Sequence, residues 1–424
     1  MKKPASSPRA TAVHLLDQVL GEGRLMSDLL AGGAVQALPP ADRARAQRLA
    51  GDTLRGLDRA DRLLAKHLRK PPPLPVRNVL RAATVELALG GDAHGVVNEA
   101  VKIVGAHPRH NRLKGLVNAV LRKIVDEAPR KWNDLRQPAL PGWLRAPLVE
   151  AWGKGPVAAM ERAHFAGAPL DLTVKSEAGA WAERLGGTVL PTGSVRVFDA
   201  PQVSTLPGFE AGAWWVQDAA AALPVQVLAP QQGERVLDLC AAPGGKTLQL
   251  ASMGAQVTAL DLSERRMARV TENLARTGLT AECVVGDALE HRGQYDAILC
   301  DAPCSATGTI RRHPDLPHAK DGTEFGALIE LQAAMIDHAL TLLRPGGRLV
   351  FCTCSLLPDE GECQVDAALV RHPGLTVDRA ALDLPGVDAG WITEEGGLRL
   401  RPDHWADLGG MDGFYIACLR NTDA

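Results

Sequence analysis

No run of apolar residues in this 424-residue chain is long enough to span a bilayer. The opening stretch, MKKPASSPRA, is basic but lacks the apolar segment of a secretory signal, so a cytoplasmic protein without membrane contact is expected. Paired CxxC motifs are missing as well. Eight cysteines in this length make no disulfide framework, and the spacing of the five within Cys300–Cys363 does not suit zinc, so no metal is expected. No period of 20–50 residues recurs, which excludes a solenoid. Two nucleotide fingerprints also fail. There is no GxGxxG, and Gly245-Lys246-Thr247 ends like a phosphate loop but has Cys240 where that motif requires glycine.

The charge is divided unevenly. Residues 1–131 hold 23 basic and 12 acidic residues, net +11, and the remainder holds 24 and 37, net −13. A basic module fused to an acidic body suggests a polyanion-binding arm on a catalytic core. Solvated, arginine-rich helix faces are the plainer alternative. Within 9–131 apolar residues recur at three- and four-residue spacings, as in Ala12, Leu15, Leu16, Val19 and Leu20, which predicts an all-α bundle. Further helices are predicted over 42–56, 58–68, 75–89, 95–104 and 115–124, with Pro39-Pro40 and Pro71-Pro72-Pro73 between them. Residues 132–210 read as a small α/β linker module, with helices near 143–152, 156–165 and 177–185 and strands at 170–175, near 189 and at 195–198. A third domain, 211–424, holds the chemistry.

The chain is organised around VLDLCAAPGGKT (236–247), a short apolar strand, a tight Gly-rich turn and the opening of a helix. Asp238 in the strand end would repel phosphate and suit a cationic or amino-acid-like ligand. A second strand, 255–260, ends at Asp261, placed to grip a ribose diol. A third, 282–285, precedes Gly286-Asp287, and a fourth, 295–300, precedes Asp301-Ala302-Pro303-Cys304. Strands at 348–353, leading to Thr353-Cys354-Ser355, and at 412–419 complete the set. Strands separated by helix-length segments describe a doubly wound α/β domain with a ligand along one edge. The polar, proline-broken stretch 307–317 is predicted to be a loop over that edge, where Arg311, Arg312 and His313 would suit phosphate or base contacts.

On these residues the domain resembles the class I S-adenosylmethionine methyltransferases. DAPCS (301–305) with TCS (353–355) strongly resembles the RNA 5-methylcytosine methyltransferase family, bacterial 16S rRNA members included. The runs 77–89, 94–104 and 114–124, with Asn98, Glu99 and Asn118, resemble the NusB-type RNA-binding bundle. The resemblance implies a multidomain chain: a NusB-like helical bundle (1–131), the linker module as an RNA-positioning element (132–210) and a Rossmann-like catalytic domain (211–424). It implies S-adenosylmethionine as cofactor, with Cys240, Ala241, Ala242, Pro243, Gly244, Gly245 and Lys246 around its amino-acid portion. Asp261 would then meet the ribose hydroxyls, Asp287 the adenine amine, and Asp301 both cofactor and base. Asp238 would brace the loop. Lys246 would hold the loop or touch substrate, and Gln217-Asp218 would shape the pocket or cap the following helix.

C5 of cytosine is too electron-poor to take a methyl group unaided, and a thiolate adding at C6 makes C5 nucleophilic. In the family resembled, the thiol matching Cys354 forms that adduct and the thiol matching Cys304 assists its breakdown. Asp301 is placed to stabilise the adduct at N3. DNA cytosine methyltransferases use the Pro-Cys thiol instead, so Cys304 is the alternative nucleophile. Cys300 and Cys352, inside apolar strands, read as core. The expected activity is methylation of a cytidine in 16S rRNA by a monomeric enzyme. A tRNA substrate is the runner-up, and a non-catalytic ribosome-assembly or antitermination factor is the reading from another class.

Overall fold

The computed structural model describes residues 7–421 and divides into two compact units. One comprises Met1–Gly167 with Ile310–Asp321, the other Ala168–Thr309 with Gly322–Ala424. Residues 1–6, where the basic opening stretch begins, and 422–424 lie outside the described residues.

The first unit is helical. Its longer helices in the basic region are Pro8–Glu22, Pro40–Arg55, Leu57–Ala65, Leu74–Ala88, Ala93–Ala106 and Lys114–Lys131. The three- and four-residue spacing produces one core, in which Leu15, Leu16 and Val19 meet Leu63, Leu80 and Leu121. Side-chain oxygens satisfy exposed helix-start amides. Ser7 accepts from the Ala10 N–H at 3.1 Å, and Asp92 accepts from that of Gly95 at 2.7 Å. Polar links run beside the core. Arg81 donates to Asn78 and to both carboxylate oxygens of Asp61, and Asn78 donates to Asp17.

The segment 132–210 is shared between the units, because its pieces pack on different cores. Helices Gly142–Trp152 and Lys154–Ala166 fold with the first unit, where Phe165 packs against the bundle core with the Arg59 guanidinium 4.2 Å from its ring centre. The strands fold with the second. They are β1 (Leu170–Val174), β2 (Thr188–Val189), β3 (Val195–Val197) and, beyond the predicted segment, β4 (Trp214–Val216). They form an antiparallel sheet in the order β2-β3-β1-β4. Buried Arg196 anchors it by gripping both oxygens of Asp171 at 2.7 Å and donating to the carbonyls of Leu408 and Gly410. A paired, fully hydrogen-bonded charge of this kind fixes a geometry more than it adds stability.

The larger sheet holds β5 (Arg235–Leu239), β6 (Gln256–Asp261), β7 (Glu282–Val285), β8 (Tyr295–Asp301), β9 (Leu343–Thr353), β10 (Leu375–Val377), β11 (Leu398–Leu400) and β12 (Phe414–Asn421). Its order is β10-β12-β9-β8-β5-β6-β7, with β11 on β12. Strands β5 to β9 pair parallel and β12 runs antiparallel to β9, a Rossmann-like arrangement. The parallel strands are covered on both faces, which is why Val236, Leu237, Ile298, Leu299, Val350 and Phe351 are all fully buried. β5 lies between β6 and β8, so the chain leaves it in opposite directions and opens a crevice at the strands' C-terminal edge.

Candidate active site

Because β8 and β9 are parallel neighbours, the turns that follow them reach the same edge. The Sγ atoms of Cys304 and Cys354 lie 3.5 Å apart there. The hydrogen bond with Cys354, and then burial, push the Cys304 thiol well above its ordinary range, so Cys304 keeps its proton. Cys300 and Cys352 are fully buried within their strands, and the Cys352 thiol reaches Asp301 at 3.6 Å.

A residue not singled out in the sequence organises both turns. Glu360 is fully buried and accepts from the Ser305 N–H at 2.8 Å, the Ser305 hydroxyl at 2.5 Å and the Ser355 hydroxyl at 2.6 Å. The Gln332 amide adds a fourth donor at 3.0 Å. Ser305 and Ser355 each follow a cysteine, so one carboxylate sets both thiol-bearing turns. Gly308 closes the assembly, its N–H donating to the Cys354 carbonyl at 2.9 Å while its own carbonyl accepts from Gly413 at 2.8 Å. A repeated Cys-Ser after two strand ends was the available signal. It does not say which of Asp359, Glu360 and Glu362 turns inward.

Lys246 donates to Asp301 at 2.7 Å, and its ammonium sits 5.2 Å from the Phe414 ring centre. Burial opposes its charge, but Asp301, then the sulfurs of Cys352 and Cys354, hold its pKa above the ordinary lysine value. Its hydrogen-bond partner is thus the carboxylate beside the thiols, and not a carbonyl of the loop.

The loop between β5 and the helix Gly245–Ser252 turns through Cys240 at φ 63° and Gly244 at φ 103°. Left-handed backbone at the non-glycine Cys240 is a conformation found at ligand clamps. Asp261 accepts from the N–H of Ala242 at 3.1 Å and of Ser263 at 2.9 Å, which fixes it under the loop. Asp287 is exposed, bound to the Leu289 N–H at 2.9 Å. Asp218 caps helix Ala219–Leu228 through the Ala220 N–H at 2.9 Å, whereas Gln217 links Thr173 and Trp215 to Gln249 of the loop's helix.

Burial, then the carboxylates of Asp301, Asp261 and Asp238, push the Cys240 thiol up to about 12. Those three carboxylates put negative charge beside the loop. Asp238 is completely buried. Its Oδ2 accepts from the Thr247 hydroxyl at 2.6 Å, and its Oδ1 has no partner. Burial pushes it up to about 7, against the Thr247 bond. An unpaired buried carboxylate oxygen in an acid-lined loop fits a cationic cofactor with an amino-acid head, such as S-adenosylmethionine.

The expected basic loop is different. Ile310–Asp321 folds with the helical unit and contains the short helix Leu316–Ala319. Arg311 is fully buried, and its carbonyl accepts from Arg55 at 2.9 Å, so its side chain does not face solvent for a phosphate. The apolar residues around it, Ile310, Leu316 and Pro317, draw the segment inward. Arg312 is exposed, and His313 is half-buried, its pKa lowered to about 4 by burial and then by Arg312. Among the described residues no group of three or more His, Cys, Asp or Glu is arranged to hold a metal, and no helix is long and apolar enough to cross a membrane.

Residues 225–420 match the family described as 16S rRNA methyltransferase RsmB/F, and residues 6–126 match the NusB family. The chain is 36% identical to the ribosomal RNA small subunit methyltransferase B of Vibrio cholerae serotype O1, over 97% of this chain and 96% of that protein. With the protein of the same name from Erwinia tasmaniensis the identity is 34%, over 98% and 99%. The fold is also that of the solved structure of PH0851, with a TM-score of 0.74 over 99% of both chains at 23% identity. A methyltransferase homolog from Pyrococcus horikoshii superposes with a TM-score of 0.55 at 27% identity, over 65% of this chain and 94% of that one.

Proposed function

The chain belongs to the 16S rRNA methyltransferase RsmB/F family and is an RNA methyltransferase, and from that premise we propose that it methylates C5 of a cytidine in 16S rRNA through a covalent Cys354 adduct. Membership sets aside the non-catalytic factor. The observation that carries the proposal is the thiol pair, 3.5 Å apart on the turns after two parallel strands, and the upward push on the Cys304 thiol supports the reading in which Cys354 attacks.

The target base leaves its stack to present its C5–C6 edge. The Cys354 thiolate bonds to C6, electron density moves to C5, and as N3 takes up a proton from solvent the Asp301 carboxylate accepts a hydrogen bond from the N3–H. Lys246 neutralises the Asp301 carboxylate during this step. S-adenosylmethionine, when bound, supplies the methyl group. Cys240–Lys246 would cradle its amino-acid portion, Asp238 Oδ1 would face its ammonium, and Asp261 and Asp287 would meet ribose and adenine. Once C5 carries the methyl group, H5 leaves to a base, the C6–S bond breaks and the Cys354 thiolate departs. Cys304, 3.5 Å away, supports that departure by hydrogen bonding to the leaving sulfur. The basic region 1–131 supplies salt-sensitive phosphate affinity, with Arg312 and His313 as further RNA contacts. The segment 132–210 positions the RNA, and 211–424 carries the reaction.

The test is adduct trapping with 16S rRNA containing 5-fluorocytosine, whose C5–F cannot leave as a proton, resolved on a denaturing gel. The expected covalent band is absent in Cys354→Ala and present in Cys304→Ala. Loss only in Cys304→Ala exchanges the two roles, and a band with tRNA but not rRNA moves the substrate.

A further inference from the structure

The helical unit contains a cavity of about 310 Å³, and none of its lining residues belongs to the thiol turns or the Cys240–Lys246 loop. That volume is at the lower end of the roughly 300–1,000 Å³ usual for sites that take small organic ligands. Its walls come from the Leu54–Asp61 turn, residues 138–141, the end of helix Lys154–Ala166 and the 310–318 segment.

Two observations mark it as built to be filled. His164 is buried on the wall, and neither of its ring nitrogens has a hydrogen-bond partner. The Nε of Arg55, on the same wall, is also unpartnered. Buried polar atoms in folded proteins are nearly always satisfied, so an unpaired imidazole against a cavity points to a missing ligand.

The lining also states what kind of ligand. Arg55, Arg77 and Arg81 are matched in number by Asp58, Asp61 and Glu161. Most of these charges are already spent: Arg77 and Arg81 on Asp61, Asp58 on Arg62, and Glu161 on Arg145. With Arg55 paired to Asp52 as well, every charge on the wall already has a partner, and neither a phosphate nor an ammonium meets a free opposite charge here. Burial, with the Arg311 charge adding to it, lowers the His164 pKa to about 3, so the ring is neutral and offers one donor and one acceptor. Leu54, Leu140, Phe165 and Ile310 supply apolar walls around those two groups. A neutral, flat, partly apolar group with adjacent donor and acceptor atoms satisfies every one of these conditions.

We propose that this cavity takes an unpaired nucleobase of the RNA, held between apolar walls and read by the two ring nitrogens of His164. The inference rests on RNA being the substrate but not on the chemistry at C5. It gives the helical unit a way to choose its RNA that phosphate contacts alone do not provide.

The test is ultraviolet crosslinking of the full chain to a 16S rRNA transcript without added cofactor, followed by digestion and mass spectrometry of nucleotide–peptide adducts. The expected result is an adduct on 138–141, 161–165 or 310–318. In His164→Leu that adduct disappears and RNA affinity in filter binding falls about tenfold, while the thermal midpoint holds or rises because an unpaired polar ring has become apolar. A merely structural histidine would do the reverse, lowering the midpoint and leaving affinity unchanged. Adducts confined to other segments overturn the proposal whatever the variant does. Since no methyl transfer is read, failure of the Cys354 chemistry leaves this result interpretable.

Discussion

The hydroxyls of Ser305 and Ser355 lie 3.1 Å apart, and both donate to the same oxygen of the Glu360 carboxylate. Each serine follows one of the two paired cysteines. The distance between the thiols is therefore set by a buried acid that touches neither of them. Thr307 tightens the knot, its hydroxyl 3.3 Å from Ser355 Oγ and accepting from the Leu356 N–H at 2.9 Å.

Glu360→Gln is expected to lower kcat by roughly 10- to 100-fold, the scale on which small misplacements of reacting groups act. An amide replaces one acceptor oxygen with a donor, so either the two hydroxyls or the Ser305 N–H and Gln332 amide lose their acceptor. The KM for RNA should be unchanged, because no surface group is altered. Single-turnover methylation at saturating RNA checks this. A change confined to KM would remove Glu360 from any positioning role.

Asp238 gives the cofactor site a pH dependence. Its folded pKa of about 7 lies above the ordinary 3.8 of an aspartate. Between those values the unfolded chain has lost a proton that the fold retains, so stability falls as pH rises across that window and levels off above about 7. A cofactor ammonium pairs with the ionised form. Affinity for S-adenosylmethionine should consequently increase with pH from about 6 to 8, with release of up to one proton. Calorimetric titration across that range checks it, and the same slope in Asp238→Asn would contradict the assignment.

The strand-and-turn order around the site was legible because parallel strands buried on both faces leave unbroken apolar runs. Ala297–Cys300 and Leu349–Cys352 are such runs, and an acid or a cysteine follows where each chain turns at the edge. Short strands such as β4 and β11, three residues each, carry no period long enough to read. The role of Glu360 was hidden for another reason. Its neighbours Asp359 and Glu362 are chemically equivalent, and only the backbone around Gly361 decides which carboxylate turns inward. Arg311 was misplaced because an arginine beside another arginine reads as a basic patch, whereas apolar packing on either side pulls this one under the surface.

That difference separates two adjacent arginines experimentally. Arg311→Ala should lower the thermal midpoint, by roughly the 0.5–3 kcal/mol usual for point changes, because truncating a fully buried arginine removes the packing of its stem. It should leave the salt dependence of RNA binding as it was. Exposed Arg312→Ala should do the opposite, leaving stability within about 0.5 kcal/mol and reducing the salt slope by about one if it meets a phosphate. Thermal denaturation and filter binding at several salt concentrations distinguish them.

Two glycines make the last comparison. A Cβ on Gly308 would lie 2.0 Å from the Gly413 carbonyl oxygen and 2.9 Å from that of Cys354. Both obstacles are backbone, so no side chain can rotate away, and the turn bearing Cys304 must move off the turn bearing Cys354. Gly308→Ala should cost at least the roughly 1–3 kcal/mol of an overpacked core and also abolish trapping of the 5-fluorocytosine adduct. Gly115 sits in helix Lys114–Lys131 with nothing within 4 Å of its would-be Cβ. There the same substitution should raise stability by roughly 0.5–1 kcal/mol through helix propensity, with methylation intact. If Gly308→Ala keeps wild-type trapping, close apposition of the two turns is not what the reaction requires.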